Sequence, residues 1–289
     1  MKKLKVFSFI IIMVLVSILS SGCTSDNMEN INILVTNYPN EFITQKLYGA
    51  HSTVSSIYPD GVDINEYTIS SKQKKDFSNY DLFIYNGLIE KERNLAVDLL
   101  ELNPDLKIID TAYVLETDYS PEELWLNPSS LLMMAQNVRI GLEEYISSNV
   151  LKTEIDEAYD SLKVELSELD AKYRIDVDNT NNKIIVVANS ALKYLEKFGL
   201  EVYCVDSDAT DKTISDVQDL INNKKVDYVY SFVEEDLNDK VKKLVDSNDN
   251  FTVIELHRLD NMTDDERKNK ETYLSIMNNN LDLIKKEIY

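Results

Sequence analysis

Short apolar runs alternate with longer amphipathic segments along most of the chain. Eight runs of four to six residues are bounded by turn-forming residues: Ile33–Thr36, Val54–Tyr58, Leu82–Tyr85, Lys107–Asp110, Ile184–Ala188, Leu200–Val205, Tyr228–Phe232 and Thr252–Leu256. Runs that are apolar on both faces are typical of buried parallel strands, and the segments between them are long enough for helical crossovers. We therefore predict an α/β protein of two lobes, each with a four-stranded parallel sheet and flanking helices.

A segment without strand character separates the first four runs from the last four. Its apolar residues are spaced 4, 3, 4, 3 and 4 positions apart, namely Ile155, Tyr159, Leu162, Leu166, Leu169 and Tyr173. This spacing puts them on one face of a helix of about seven turns. We predict one rigid helix over 148–178 that joins an N-terminal lobe, 33–147, to a C-terminal lobe, 179–289. A coiled-coil dimer would give the same pattern.

The first residues have the order of zones found in secretory signals. Three lysines precede an apolar run from Val6 to Val16, which is too short for a stable membrane span. The run ends in LSSGC, and this ending resembles the lipobox of bacterial lipoproteins, in which the cysteine, here Cys23, is lipidated. We predict a signal peptide over 1–22 and a polar tether over 23–32. An ordinary signal peptide with a chance cysteine is the alternative.

Charge and cysteine content narrow the class of protein. The formal charge is −21, and it becomes −24 without residues 1–22, which hold three lysines and no acid. So acidic a surface repels nucleic acids and anionic headgroups and attracts cations. Cys204 is the one cysteine besides Cys23, so a mature chain lipidated at Cys23 forms no internal disulfide. We expect no nucleic-acid partner.

Six stretches carry a resemblance to a known family. In order along the chain they are VTNYP, PDGVDINEY, YDLFIYNG, LWLNP, SALKYLEKFGL and YVYSFVEEDLNDK. Together they resemble the zinc/manganese substrate-binding lipoproteins of ABC importers, the cluster A-I or TroA-like (ZnuA-like) family. The resemblance implies two lobes joined by a rigid helix, a transported divalent metal ion in the cleft between them, and a cognate permease and ATPase as partners. We expect an extracytoplasmic monomer that is anchored to the bacterial cell membrane through lipidated Cys23.

The resemblance also implies four metal-ligand positions. The family's first ligand is a histidine two residues after the aspartate of a GxD turn, and here that position is Asn65. The second, two residues before the tryptophan, is Glu123; the third, closing the fifth strand, is Asn189; the last, after the final strand, is His257. One imidazole, one carboxylate and two amides form a weak set for zinc, and hard cations usually require more carboxylates. The resemblance thus defines the fold more closely than the ion, which we expect to be of the zinc or manganese class.

Other side chains near these positions are further candidates for the cleft. Asp63 and Glu66 flank Asn65, and Glu234 follows the seventh predicted strand, where the family often has a glutamate. Trp125 could line the cleft, although an aromatic residue in such a turn often anchors the loop against the core. Asp63 could equally be a turn residue whose carboxylate binds backbone amides.

Three functions are compatible with these features. The first is a solute-binding lipoprotein that delivers a divalent cation to an ABC importer. The second is a diverged relative that has lost high-affinity metal binding and serves in surface adhesion or interaction. The third is a binding protein whose asparagines hold a small polar organic molecule. We expect no enzyme, because the chain has only two histidines, no pairing of a nucleophile with a base, and no glycine-rich phosphate loop.

Overall fold

Eight strands form two separate parallel sheets over residues 28–289, which the computed structural model describes. The first sheet has the order β2-β1-β3-β4, with β1 at Ile31–Val35, β2 at Ser52–Ser56, β3 at Leu82–Tyr85 and β4 at Lys107–Asp110. The second has the order β6-β5-β7-β8, with β5 at Ile184–Val187, β6 at Glu201–Cys204, β7 at Tyr228–Phe232 and β8 at Thr252–Leu256. The predicted fold class is confirmed. The predicted signal peptide over 1–22 and Cys23 lie outside the described residues.

Helices connect the strands and cover both sheets. The first lobe has α1 (Tyr38–Tyr48), α2 (Ser71–Phe77), α3 (Glu90–Leu102), α4 (Glu123–Leu126) and α5 (Pro128–Tyr145). Helix α6 spans Asn149–Asp178, and the second lobe has a 3₁₀ helix (Ser190–Phe198), α7 (Asp211–Asn222), α8 (Asp239–Asp246), α9 (Asp264–Lys268) and α10 (Tyr273–Ile288). None of the helices within residues 28–289 has the length and apolar character needed to cross a membrane.

The first two strands begin two residues earlier than predicted. Backbone pairing of β1 with β2 runs from Ile31 opposite Ser52 to Val35 opposite Ser56. Met28 is buried, and its carbonyl accepts a hydrogen bond from the Tyr48 hydroxyl at 2.5 Å. Residues 28–32 therefore belong to the first lobe and not to the predicted tether. The predicted start of β2 was wrong because Ser52 is polar and the prediction followed the apolar residues. In this edge strand, backbone pairing with β1 and not burial sets where the strand begins.

The apolar face of the long helix α6 packs against both lobes, and their apolar residues form one continuous hydrophobic core with it. Five of the six residues of its predicted stripe are buried, and Tyr159 is partly buried against the same core. That core contains β1 residues such as Ile33 and β5 residues such as Ile185, both fully buried. Tyr173 donates from its hydroxyl to the carbonyl of Met277 in α10 at 2.8 Å. The helix is thus packed along its length on both lobes.

Loops that follow strands meet between the lobes. In sheets of this order, ligands bind outside the carboxyl ends of the strands, at the point where the strand order reverses. In the first lobe this point lies between β1 and β3, and in the second between β5 and β7. The segments that follow these four strands begin at Thr36, Asn86, Ala188 and Val233.

A buried carboxylate lies at the first of these points. Glu92, in the first turn of α3, is 1% exposed and accepts hydrogen bonds from the Thr36 hydroxyl at 2.5 Å and the Asn86 amide N–H at 2.7 Å. Asn37 Nδ2 lies 3.4 Å from its other oxygen. Burial raises the pKa of Glu92 to about 7, although these hydrogen bonds oppose the shift.

The raised pKa of Glu92 predicts a pH-dependent stability. Because the folded state binds the proton more tightly than the unfolded chain, this group's contribution is greatest below the unfolded pKa of about 4.5 and is lost as the pH rises through about 7. We expect the unfolding free energy of wild type, relative to Glu92→Gln, to fall by about 3 kcal/mol between these values. Urea denaturation at a series of pH values measures this difference. Parallel curves for the two proteins would contradict it.

Candidate functional site

A cleft of about 270 Å³ separates the two lobes at the carboxyl ends of their strands. The first lobe supplies the loop after β2, and the second supplies the segments after β7 and β8. The lining residues are Gly61, Val62 and Asp63, then Val233 and Glu234, then His257, Arg258, Asp260, Asn261, Met262, Thr263 and Glu266. Three of the predicted site residues, Asp63, Glu234 and His257, therefore line one cavity.

His257 is held at both ring nitrogens. Its Nδ1 accepts a hydrogen bond from the Leu259 backbone N–H at 2.8 Å, and its Nε2 lies 3.0 Å from Glu266 Oε1. Since Nδ1 accepts, we infer that Nε2 carries the proton and donates it to Glu266. The Asn280 amide fixes the backbone of His257 by donating to its carbonyl and accepting from its N–H, both at 2.9 Å. A metal ion at Nε2 would have to displace this proton.

Glu123 lies buried at the start of α4 and binds its own loop. It is 1% exposed, and its carboxylate accepts hydrogen bonds from the backbone N–H groups of Asp118, Tyr119 and Ser120. Lys197 Nζ, from the second lobe, lies 3.6 Å from its Oε2. Three backbone donors and one cation already use the lone pairs that a metal would need, so this arrangement gives Glu123 a structural role.

The two asparagines lie in other cavities. Asn65 is exposed and lines a first-lobe groove with Lys74, Lys91 and Asp98. Asn189 caps the 3₁₀ helix by accepting from the Ala191 N–H at 2.9 Å, and its Nδ2 donates to Glu235 Oε1 at 2.5 Å.

The cavity at Asn189 is strongly acidic. Its lining includes Asp206, Asp208, Glu235 and Asp236. The four described cavities are the cleft, the groove of Asn65, this acidic pocket and a surface pocket beside Tyr38. None of them contains two of the four family-derived positions.

The remaining candidates divide between cleft, turn and core. Asp63 lines the cleft and also closes its own turn, since its Oδ1 accepts from the Asn65 N–H at 2.8 Å. Glu66 is exposed, and Glu234 lines the cleft with a φ of 60°, in the left-handed region that non-glycine residues rarely adopt. Trp125 is 2% exposed, and its Nε1 donates to the Arg258 carbonyl at 2.9 Å. Trp125 thus anchors the segment after β8 and does not line the cleft.

Two cleft carboxylates were missed in the sequence. Glu266 lies beside His257, and Asp260 is largely buried, which raises its pKa. Glu266 also forms a capping box with Thr263 at the start of α9, and the pattern TDDE after the last strand is the usual signature of that motif. Within residues 28–289, no three His, Cys, Asp or Glu side chains are arranged closely enough to hold a metal ion together. The donors of the cleft are present but separated.

The fold and the cleft define a class of protein. Two parallel α/β lobes, a rigid connecting helix and a polar cleft at the strand ends are the architecture of a solute-binding protein. The family described as "Zinc-uptake complex component A periplasmic" matches residues 33–287, and the chain belongs to this family. The family prediction is confirmed. A family of uptake components also agrees with the expectation that the chain is not an enzyme.

Known relatives cover most of the chain at low identity. Zinc-binding lipoprotein AdcA of Streptococcus pneumoniae is 21% identical over 281 residues, which are 88% of this chain and 55% of AdcA. The chain thus spans about half the length of that relative. Manganese-binding lipoprotein MntA of Halalkalibacterium halodurans is 25% identical over 305 residues, 96% of each chain. The solved Zn(II)-bound ZnuA-like domain of S. pneumoniae AdcA has a TM-score of 0.71 at 21% identity and covers 90% of this chain and 99% of that one, which supports the fold.

The structural role of Glu123 is testable. We expect Glu123→Gln to lower the free energy of unfolding by about 3 kcal/mol, because an amide nitrogen would face backbone donors and Lys197 would lose the nearer of its two acidic partners. Cation affinity should not change. Glu122→Gln, which alters the neighbouring and less buried carboxylate, is the matched control and should leave stability near wild type. Chemical denaturation and calorimetry with Mn²⁺ measure the two properties. Loss of cation affinity without loss of stability would assign Glu123 as a ligand.

Proposed function

We propose that this protein is the extracytoplasmic solute-binding lipoprotein of a metal ABC importer and that it binds a divalent cation of the zinc or manganese class in the cleft between its lobes. The observation that carries this proposal is the match of residues 33–287 to a zinc-uptake family, combined with a cleft whose walls include Asp63, Glu234, Asp260 and Glu266. Carboxylates on both walls attract cations to this cavity, which is lined by both lobes.

An importer of this kind also requires membrane partners and an anchor. A family member described as one component of an uptake complex needs a permease and an ATPase as partners. The relatives AdcA and MntA are named as lipoproteins, which supports anchoring through Cys23 on the outer side of the cell membrane. We propose that the protein acts as a monomer.

The donors favour a manganese-class cation over zinc. The cleft offers one imidazole, that of His257, and carboxylates at Asp63, Glu234, Asp260 and Glu266. Oxygen-rich sets suit harder cations, whereas zinc draws its affinity from imidazole and thiolate. A Zn²⁺ site here would have the support of a single nitrogen ligand.

Cation binding requires a local rearrangement at His257. To present a lone pair at Nε2, the neutral imidazole must carry its proton on Nδ1, and this breaks the hydrogen bond from the Leu259 N–H. The same step frees Glu266 Oε1, which then becomes available to the cation. Binding is thereby coupled to movement of the segment that follows β8. The alternatives of an adhesion role and of a polar organic ligand stay predictions.

A pair of histidine variants tests this function. Titration of the metal-free mature protein with Mn²⁺ and Zn²⁺ should show binding tighter than about 0.1 mM, or about −5.5 kcal/mol. We expect His257→Ala to weaken Mn²⁺ binding by at least about tenfold, because the cleft loses its imidazole. His51→Ala is the matched control, since the only other histidine lies in the first lobe, pairs with Glu154 of α6 at 2.6 Å and lines none of the four described cavities.

Two outcomes would contradict the proposal. Binding weaker than about 0.1 mM for both ions would remove the cation as cargo. Equal losses in the two histidine variants would show that the measured binding occurs at surface histidines and not in the cleft.

A further inference from the structure

The segment after β8 leaves the second lobe and binds to the first. Asn261 donates from Nδ2 to the carbonyls of Pro59 at 2.9 Å and Val62 at 3.0 Å, in the loop that forms the opposite wall of the cleft. The Met262 carbonyl accepts from the Gly61 N–H at 2.8 Å. Gly61 has a φ of 73°, a conformation that glycine adopts at no steric cost. The two walls are therefore joined by backbone and side-chain hydrogen bonds at one end of the cleft.

Arg267 adds ion pairs to this junction between the lobes. Its Nη1 and Nη2 donate to the two carboxylate oxygens of Glu41 at 2.7 and 2.8 Å, and its Nε lies 2.7 Å from Asp60 Oδ2. Both acids belong to the first lobe, Glu41 to α1 and Asp60 to the cleft loop. The two carboxylates raise the pKa of Arg267 further above its usual value. The planar fork of arginine can bind one carboxylate with two parallel hydrogen bonds and at the same time form an ion pair with a second carboxylate beside Nε.

Partial burial keeps this ion cluster from being fully screened. The side chains of Arg267, Asp60 and Glu41 are 34%, 26% and 15% exposed. Fully exposed pairs contribute little because water and salt screen them, and these three groups are shielded on several sides. A second backbone bond, from the Tyr38 N–H to the Asp260 carbonyl at 3.0 Å, lies between α1 and the same segment.

The clamped segment also carries the groups that face the cargo. It begins at His257 and includes Glu266, which contacts His257 and directly precedes Arg267 in the short helix α9. Loss of the contact between His257 Nε2 and Glu266 therefore alters a residue of α9. Arg267, the next residue of α9, binds the first lobe. Opening of the cleft at this end requires that the bonds of Arg267 break.

We propose that Arg267 is a positioning residue for cargo exchange. Its guanidinium holds the His257–Arg267 segment against the first lobe, and release of that hold sets the rate at which the cleft opens for a cation to enter or leave. This inference rests on the proposed function for the identity of the cargo. The contacts of Arg267 with Glu41 and Asp60 do not depend on a cargo.

Hydrogen exchange at two backbone amides measures how often the junction between the segment and the first lobe opens. The N–H groups of Tyr38 and Gly61 donate across the junction, so their exchange reports its opening. We expect Arg267→Met to accelerate exchange at both amides by at least about tenfold in the metal-free mature protein, and Arg267→Lys to give an intermediate rate. The amide of Ile57, which donates to Val35 within the first lobe at 2.9 Å, should exchange as in wild type and shows that the lobe stays folded.

Cation release gives the second measurement. Dissociation of Mn²⁺, followed by stopped-flow mixing with a chelator, should be faster in Arg267→Met than in wild type by several-fold. Lys268→Met is the matched control, because the adjacent cation pairs with Asp265 within α9 and its side chain is 71% exposed. It should change neither the exchange nor the release rate.

The outcomes separate this inference from the proposed function. Unchanged exchange at Tyr38 and Gly61 in Arg267→Met overturns the inference, whatever the protein binds. Faster exchange with unchanged Mn²⁺ release overturns the link to cargo. If wild type binds no cation, the proposed function fails, and the exchange data still decide whether Arg267 holds the lobes together.

Discussion

Burial of the apolar face of α6 determines how the two lobes are arranged. A helix of 30 residues cannot hide this stripe against one small sheet, so both lobes pack on it and share a single core. The stripe extends from Leu151 to Val177, both buried, over the full length of the helix. Because the helix is continuous and its apolar face packs on both lobes, the two lobes are not joined by a flexible hinge.

The cleft follows from this arrangement. With the lobes held along one helix, the carboxyl ends of their strands face each other, and the loops after β2, β7 and β8 become the walls of one cavity. Motion at the cleft must then come mainly from these loops. The His257–Arg267 segment is the wall that touches both lobes, and it unites the one imidazole of the cleft with the ion cluster at Glu41.

Much of the fold was predictable because its signals are local. Each apolar run bounded by turns became a strand, and the 3-4 spacing of Ile155 to Tyr173 became a buried helical face. The start of β2 was not predictable in this way, since its pairing with β1 and not its hydrophobicity sets where the strand begins. Local patterns therefore gave the elements, and contacts between distant segments set their ends.

The candidate site was less predictable because its contacts are long-range. Motif positions located His257, Asp63 and Glu234 in the cleft, but they also selected Glu123, whose carboxylate is used by its own loop. The position of a side chain in a motif carries no information about which lone pairs are already bonded. Arg267 and Glu41 are 226 residues apart, and no local pattern relates them.

Paramagnetic broadening by Mn²⁺ tests the central claim, that the cation binds in the cleft between the lobes. A substoichiometric amount of Mn²⁺, added to the isotope-labelled metal-free protein at about 0.15 M salt, broadens the amide resonances nearest the ion while the salt screens scattered surface acids. Binding in the cleft predicts broadening centred on Gly61–Asp63, Val233, Glu234 and His257. Broadening centred on the acidic pocket of Asp206, Asp208 and Asp236, or spread evenly over the surface, would contradict it.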